Sequence, residues 1–261
     1  MAHPGHELRV FHWMELTRPF YCCLTEGSGG AGSSRMPSTD VVLERVGARP
    51  GPIYGRYSDQ EIYRVLLAGE TEVFVALVEE LAEVFVAAGI DAVAGDAVEG
   101  FNPSHDVCRF VIDGAVALAS RRTGRPIDNR DFVLEASPDT CPEASRDAAI
   151  WIRLDDAALD RKIDAALQYP ELRPEVHGAL ERFGRGAFAV ECLRPVTAAL
   201  AADIDSELPF YERFGEQRVR EGRYAEIIRY RQHVLPVRSA IEAAVQRSTE
   251  RSSWPRIPRD T

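Results

Sequence analysis

Asp91-Ala92-Val93-Ala94-Gly95-Asp96 is a short apolar run closed by glycine and aspartate. A loop over 97–104 follows, and from His105 the apolar residues Val107, Phe110, Val111, Ala115 and Leu118 recur at helical spacing to about Arg121. This succession of strand, loop and helix decides the fold class, because it repeats on both sides. Upstream, Phe20-Tyr21-Cys22-Cys23-Leu24-Thr25 reads as a buried strand, with a helix expected from Ser38 to Val46 and Ser38 as its N-cap. Gly51–Arg56 reads as extended. Ser58-Asp59-Gln60-Glu61 is a capping-box pattern opening a helix to about Leu67. A longer helix from Glu70 to Ala88 should end at Gly89.

Downstream, strands are expected at Phe132–Glu135 and Ile150–Leu154, and Asp155-Asp156 caps a helix to about Leu167. Further helices are expected near Glu175–Phe183, Val196–Ile204 and Tyr224–Gln246, while Ala187–Leu193 is apolar without a clear period. The alternation predicts an α/β fold: a Rossmann-like, mostly parallel sheet with helices on both faces and a helical C-terminal part. We expect a single domain over 1–246 and a disordered polar tail over 247–261.

Sheets of this kind bind ligands at the carboxyl ends of their strands. His105, in Asn102-Pro103-Ser104-His105-Asp106, lies beyond one such end. His3 and His6, in Ala2-His3-Pro4-Gly5-His6-Glu7, lie where a first strand should end. Three imidazoles can form a metal site with open positions for water and substrate. Asp96 stands at a strand end beside them, as a partner for a ligand or as a base. Glu7 and Asp106 flank the histidines and could orient an imidazole or face water. Cys108 reads as a small core residue, His12 as lying on the wrong helix face, and His177 and His233 as solvated. Gly27, Gly29 and Gly32 spell a dinucleotide fingerprint, but no helix opens on the third glycine, so no nucleotide cofactor is expected.

The first histidine segment resembles the A-H-P-D-D-E motif of the PIG-L/LmbE-like deacetylases, and Asn102-Pro103-Ser104-His105 resembles their H-P-D-H motif. The resemblance covers about the first half of the chain. It implies a zinc-dependent hydrolase that removes an acyl group from an N-acylated sugar or similar small amine. It also implies Zn2+ held by His3, His6 and His105, with His6 standing where the family has a ligand aspartate. Gly5 stands where the family has its catalytic base, so either another group supplies it, with Asp96 and Glu26 as the candidates, or the enzyme does without. Thr25-Glu26-Gly27 resembles a family loop that faces the substrate. The alternative is a catalytically impaired relative acting as a binding or assembly protein.

The formal net charge of −10 argues against nucleic acid or an anionic membrane as partner. The partner implied is a small-molecule substrate, and the oligomeric state is left open. No apolar run reaches the ~20 residues that span a bilayer. Five cysteines, odd in number and irregularly spaced, argue against a disulfide framework; with no leader pattern they point to the cytoplasm. The family's histidine motif follows a buried first strand worth on the order of 7–15 kcal/mol in burial. Only Met1 and Ala2 precede His3. We therefore expect either that such a strand lies upstream or that Ala187–Leu193 takes its place.

Overall fold

The computed structural model describes residues 1–29, 32–197 and 208–252. The apolar run Phe20–Thr25 forms β1, and Arg49–Tyr57 forms β2, paired with it in parallel. Ala92–Asp96 forms β3 and pairs in parallel with β4, Asp128–Phe132. Ile150–Arg153 is β5 and Val190–Pro195 is β6. β6 runs antiparallel between β4 and β5. The fold is α/β, but its strands form two sheets, a parallel pair and a mixed sheet of order β3-β4-β6-β5. Among the described residues the strands do not make one continuous, mostly parallel sheet.

Among the described residues the helices are α1 (Phe11–Thr17), α2 (Met36–Val46), α3 (Asp59–Ala68), α4 (Thr71–Ala87) and α5 (Pro103–Thr123). They continue with α6 (Asp156–Leu167), α7 (Arg173–Phe183), α8 (Phe210–Arg220) and α9 (Leu235–Ser252). None is long and apolar enough to cross a membrane. Ser58 and Glu61 complete the capping box of α3. Asn102 caps α5 by accepting from the Ser104 amide at 2.8 Å, with Pro103 in the first turn, where its missing N–H is harmless. Nearly every residue of α5 from Pro103 to Ile112 is buried, so this helix is central to the structure.

Several elements differ from expectation. α2 starts at Met36, capped by Arg35 backbone rather than by Ser38, because Pro37 suits the first helical turn. β4 lies four residues upstream of the apolar Phe132–Glu135. Its polar sequence survives in the sheet because Asp131 meets Arg194 of β6 at 2.7 Å, and Asn129 accepts from Arg109 at 2.8 Å. Ala187–Leu193 divides into a 3-10 turn (Arg185–Ala189) and the start of β6. Its residues 190–193 pair with β5, and it does not stand beside β1. The helix expected from Tyr224 starts later: a π-type turn over Tyr230–Val234 leads into α9, so that Pro236 falls in the first turn. Helix α8 was not anticipated. The stretch 247–252 of the expected tail continues α9; 253–261 and most of the expected Val196–Ile204 helix lie outside the described residues.

Side chains of β1 alternate between two apolar clusters. Tyr21 and Cys23 join α1, α2 and α6 on one face; Cys22 and Leu24 join α4, α5 and α9 on the other. β3 divides likewise, Val93 packing on the second cluster and Ala94 on the first. The two faces of the α/β layer are thus continuous across both sheets.

Candidate metal centre

The site begins with a turn. Gly5 has φ +104°, a conformation that glycine adopts without strain, and a 3-10 turn over His6–Val10 follows it. The reversal brings the His3 and His6 rings to a centroid separation of 5.3 Å. Helix α5 supplies His105 in its first turn, with centroids 5.0 Å from His3 and 4.6 Å from His6. The three histidines separated in sequence are therefore one cluster. Imidazoles bound to one ion through nitrogens at about 2.0–2.1 Å, in tetrahedral directions, have centroids roughly 5 Å apart.

Two carboxylates hold the rings. His6 Nδ1 stands 3.0 Å from Asp96 Oδ2, which also accepts the Ala2 amide at 2.6 Å. His3 Nδ1 stands 2.8 Å from Thr25 Oγ1 and 2.9 Å from Asp59 Oδ1. Of those two contacts only the one to Thr25 has hydrogen-bond alignment, so Asp59 meets His3 as a charge beside the ring. Asp59 Oδ2 accepts the Gly29 amide at 2.5 Å, which fastens the loop after β1 over the cluster.

Burial favours the neutral imidazole and pushes the pKa of His3 and His105 below the ordinary histidine value, for His105 helped by His6 and His3. Neutral imidazole is the form that ligates a metal. Burial alone would raise the carboxyl pKa of Asp59 and Asp96. The histidines outweigh it, His3 for Asp59 and His6 for Asp96, and both stay below the usual carboxylate range. Among the buried side-chain atoms without a hydrogen-bond partner, four belong to this cluster: His3 Nε2, His105 Nδ1, Asp59 Oδ1 and Asp96 Oδ1. Buried polar atoms are normally satisfied, and a cluster of orphans marks a place where something else is bound or reacts. The chemistry of this donor set suits zinc. As placed, however, no group of three or more His, Cys, Asp or Glu side chains among the described residues could hold a metal ion.

Other expectations resolve as follows. Asp96 is at the site, engaged by His6 and Ala2. Glu26 lies one residue beyond Thr25 with its backbone bonded to Tyr57 and Arg35, and its carboxylate joins none of the cluster's hydrogen bonds. Glu7 neither orients a histidine nor faces water. It is fully buried and accepts from the Gly5 amide (2.7 Å), Tyr21 hydroxyl (2.9 Å) and Thr39 hydroxyl (2.7 Å). Asp106 is also buried, accepting the Glu99 and Gly100 amides at 3.3 Å, and burial raises its pKa to about 7. Cys108 is in the core, as expected. His12 pairs with Glu15 at 2.7 Å, and His177 is exposed. His233 is not simply solvated, because its Nδ1 accepts the Arg229 amide at 2.8 Å. The residue missed was Asp59; Thr25, expected in a loop facing the substrate, is found against His3. Asp59 had been read only as part of a cap, yet it follows the carboxyl end of β2, where the rule that located His105 also points.

Gly5 cannot simply be restored to the aspartate of the resembling motif. A Cβ there would come within 2.1 Å of Leu172 Cδ1, on a backbone that already disfavours any side chain. Comparisons with protein-family models, with curated proteins and with solved structures each find no match for this chain.

Proposed function

We propose that this chain is a zinc-dependent hydrolase that removes an acyl group from an N-acylated sugar or similar small amine, with Zn2+ held by His3, His6 and His105. The observation that carries the reading is the convergence of three largely buried imidazoles, two of which keep an orphaned ring nitrogen. Zinc supplies Lewis acidity and an acidic water, with a pKa near 7, to such a site. The chain's own residues do the positioning. Thr25 and Asp59 fix the His3 ring, and Asp96 fixes His6, leaving the opposite nitrogens for the ion. Asp96 is thereby better suited to hold a ligand than to act as a base, since its engaged carboxylate takes up a proton only well below neutral pH. Asp59, with one orphaned oxygen, replaces Glu26 as the carboxylate nearest the cluster.

Within the same reading the parallel β1–β2 and β3–β4 pairs are the parts of a Rossmann-like arrangement. The reading also carries a reducing cytoplasm, in keeping with five free cysteines. A second reading, a binding or assembly protein, is favoured by one specific feature: position 5 bears no base and accommodates none.

The test is elemental analysis of the wild type and of His105→Ala, joined to a screen of N-acetylated sugars and amines. About one zinc per chain in the wild type, lost in the variant, with amine release from a screened compound, is the expected result. Negligible zinc in both proteins removes the site. Zinc without turnover selects the binding reading.

A further inference from the structure

The two sheets end on edges that face each other. Among the described strands β1 pairs only with β2 on one side, and β3 only with β4 on one side. Between their free edges lies a cavity of about 460 Å³. Cys22 of β1 and Val93 of β3 form its walls, Leu81 and Ile112 close one face, and Trp13 and Met14 close the other. Both apolar clusters thus continue over the cavity, although no strand of the described residues lies in it.

The far end of this slot already has strand character. The Met1 carbonyl accepts the Leu24 amide at 2.9 Å, and the Ala2 carbonyl accepts the Thr25 amide at 2.9 Å. The Met1 nitrogen donates to the Cys22 carbonyl at 2.8 Å, as a strand amide would. On the opposite side the Ala2 amide reaches Asp96 at the end of β3. Met1 and Ala2 therefore occupy the last positions of a strand line between β1 and β3, and the cavity, which Met1 lines, is the rest of that line.

We propose that this slot is a strand-acceptor site, filled by a parallel apolar strand of about five residues joined to the Met1 nitrogen. Direction follows from Met1 and Ala2, which lead into the histidine turn at the carboxyl ends of β1 and β3. Length follows from β3, which has five residues. Composition follows from the two covered faces: a strand buried on both sides is apolar at successive positions rather than alternating. Filled in this way, the slot joins the two sheets into one, of order β2-β1-new strand-β3-β4-β6-β5. It also anchors the turn bearing His3 and His6 from behind. The inference stands whether or not the histidines hold zinc.

The experiment compares the 261-residue chain with three versions carrying a segment directly before Met1: Val-Leu-Ile-Val-Val, Val-Leu-Pro-Val-Val and Ser-Asn-Ser-Gln-Thr. Thermal melting and amide hydrogen exchange are read on each. The apolar segment should raise the melting temperature by about 10 °C or more. It should also slow exchange by about tenfold or more at amides of both β1 and β3. The proline version, which cannot complete the ladder, and the polar version should do neither. A lysine-tagged free Val-Leu-Ile-Val-Val peptide, added to the unextended chain, gives a second measurement and should protect the same amides. Unchanged exchange at β3 with both the joined and the free apolar segment overturns the proposal, as does an equal shift from all three extensions. Concentration-dependent dimerisation of the unextended chain that protects those amides also overturns it, by assigning the slot to a second copy.

Discussion

Two groups of buried polar side chains behave in opposite ways. Around His3, His6 and His105, four buried donor or acceptor atoms have no partner. Around Glu191 none is left over: its carboxylate accepts from the His12 amide (2.9 Å), the Trp13 amide (2.7 Å) and Lys162 Nζ (2.8 Å). Lys162 in turn donates to the Arg9 carbonyl at 2.8 Å. Glu7, next to His6 in sequence, belongs with Glu191, since three donors reach it. Both kinds of group pay for desolvation, but only the saturated kind recovers it inside the fold. Saturation marks a structural role, whereas the orphaned atoms of the histidine cluster are the ones whose bonding the proposed ligand would complete.

The contrast can be broken most directly at Glu191. Glu191→Ala leaves Lys162 buried without its counter-charge and two helix amides unpaired, and should destabilise the fold by about 3–5 kcal/mol in chemical denaturation. A loss below 1 kcal/mol would put Glu191 outside the structural class. Next comes Gly5→Ala, whose methyl group meets Leu172 on a left-handed backbone. It should cost about 1–3 kcal/mol by the same measurement, and a neutral outcome would mean that the turn relaxes freely. The histidine side is sharpened by Asp96→Asn. Losing the charge beside His6 should weaken zinc binding by about 10–100-fold in competition with a chelator, with melting of the metal-free protein changed far less than by Glu191→Ala. The smallest effect is expected from His105→Ala in the metal-free protein. Its orphaned ring is removed along with its desolvation, so unfolding free energy should stay within about 1 kcal/mol of wild type. A loss of 3 kcal/mol or more would place His105 among the saturated, structural groups.

Local signals in the sequence were sufficient for many elements and for the site's main residues. The capping box at Ser58 and the glycine after α4 act within a few residues of chain, so helix boundaries there were legible. The histidines at 3, 6 and 105 were legible because strand–loop–helix units place their loops at one edge of a sheet. Glu7 was ambiguous, because a carboxylate next to a histidine has the same sequence whether it faces the ring or Tyr21 and Thr39.

What the sequence by itself determined was the class of fold, the order of most elements and the three imidazoles. Periodicity, caps and turns are properties of neighbouring residues, and they survive without knowledge of the whole. The tertiary structure alone decided that β4 is the polar Asp128–Phe132, since only the approach of Arg194 makes Asp131 tolerable in a sheet. It decided that Val190–Pro195 enters antiparallel between β4 and β5, that Asp59 stands beside His3, and that β1 and β3 confront each other across an apolar slot. Each of these depends on partners distant in the chain, and pairing over such distances is fixed by packing and charge in three dimensions rather than by local pattern.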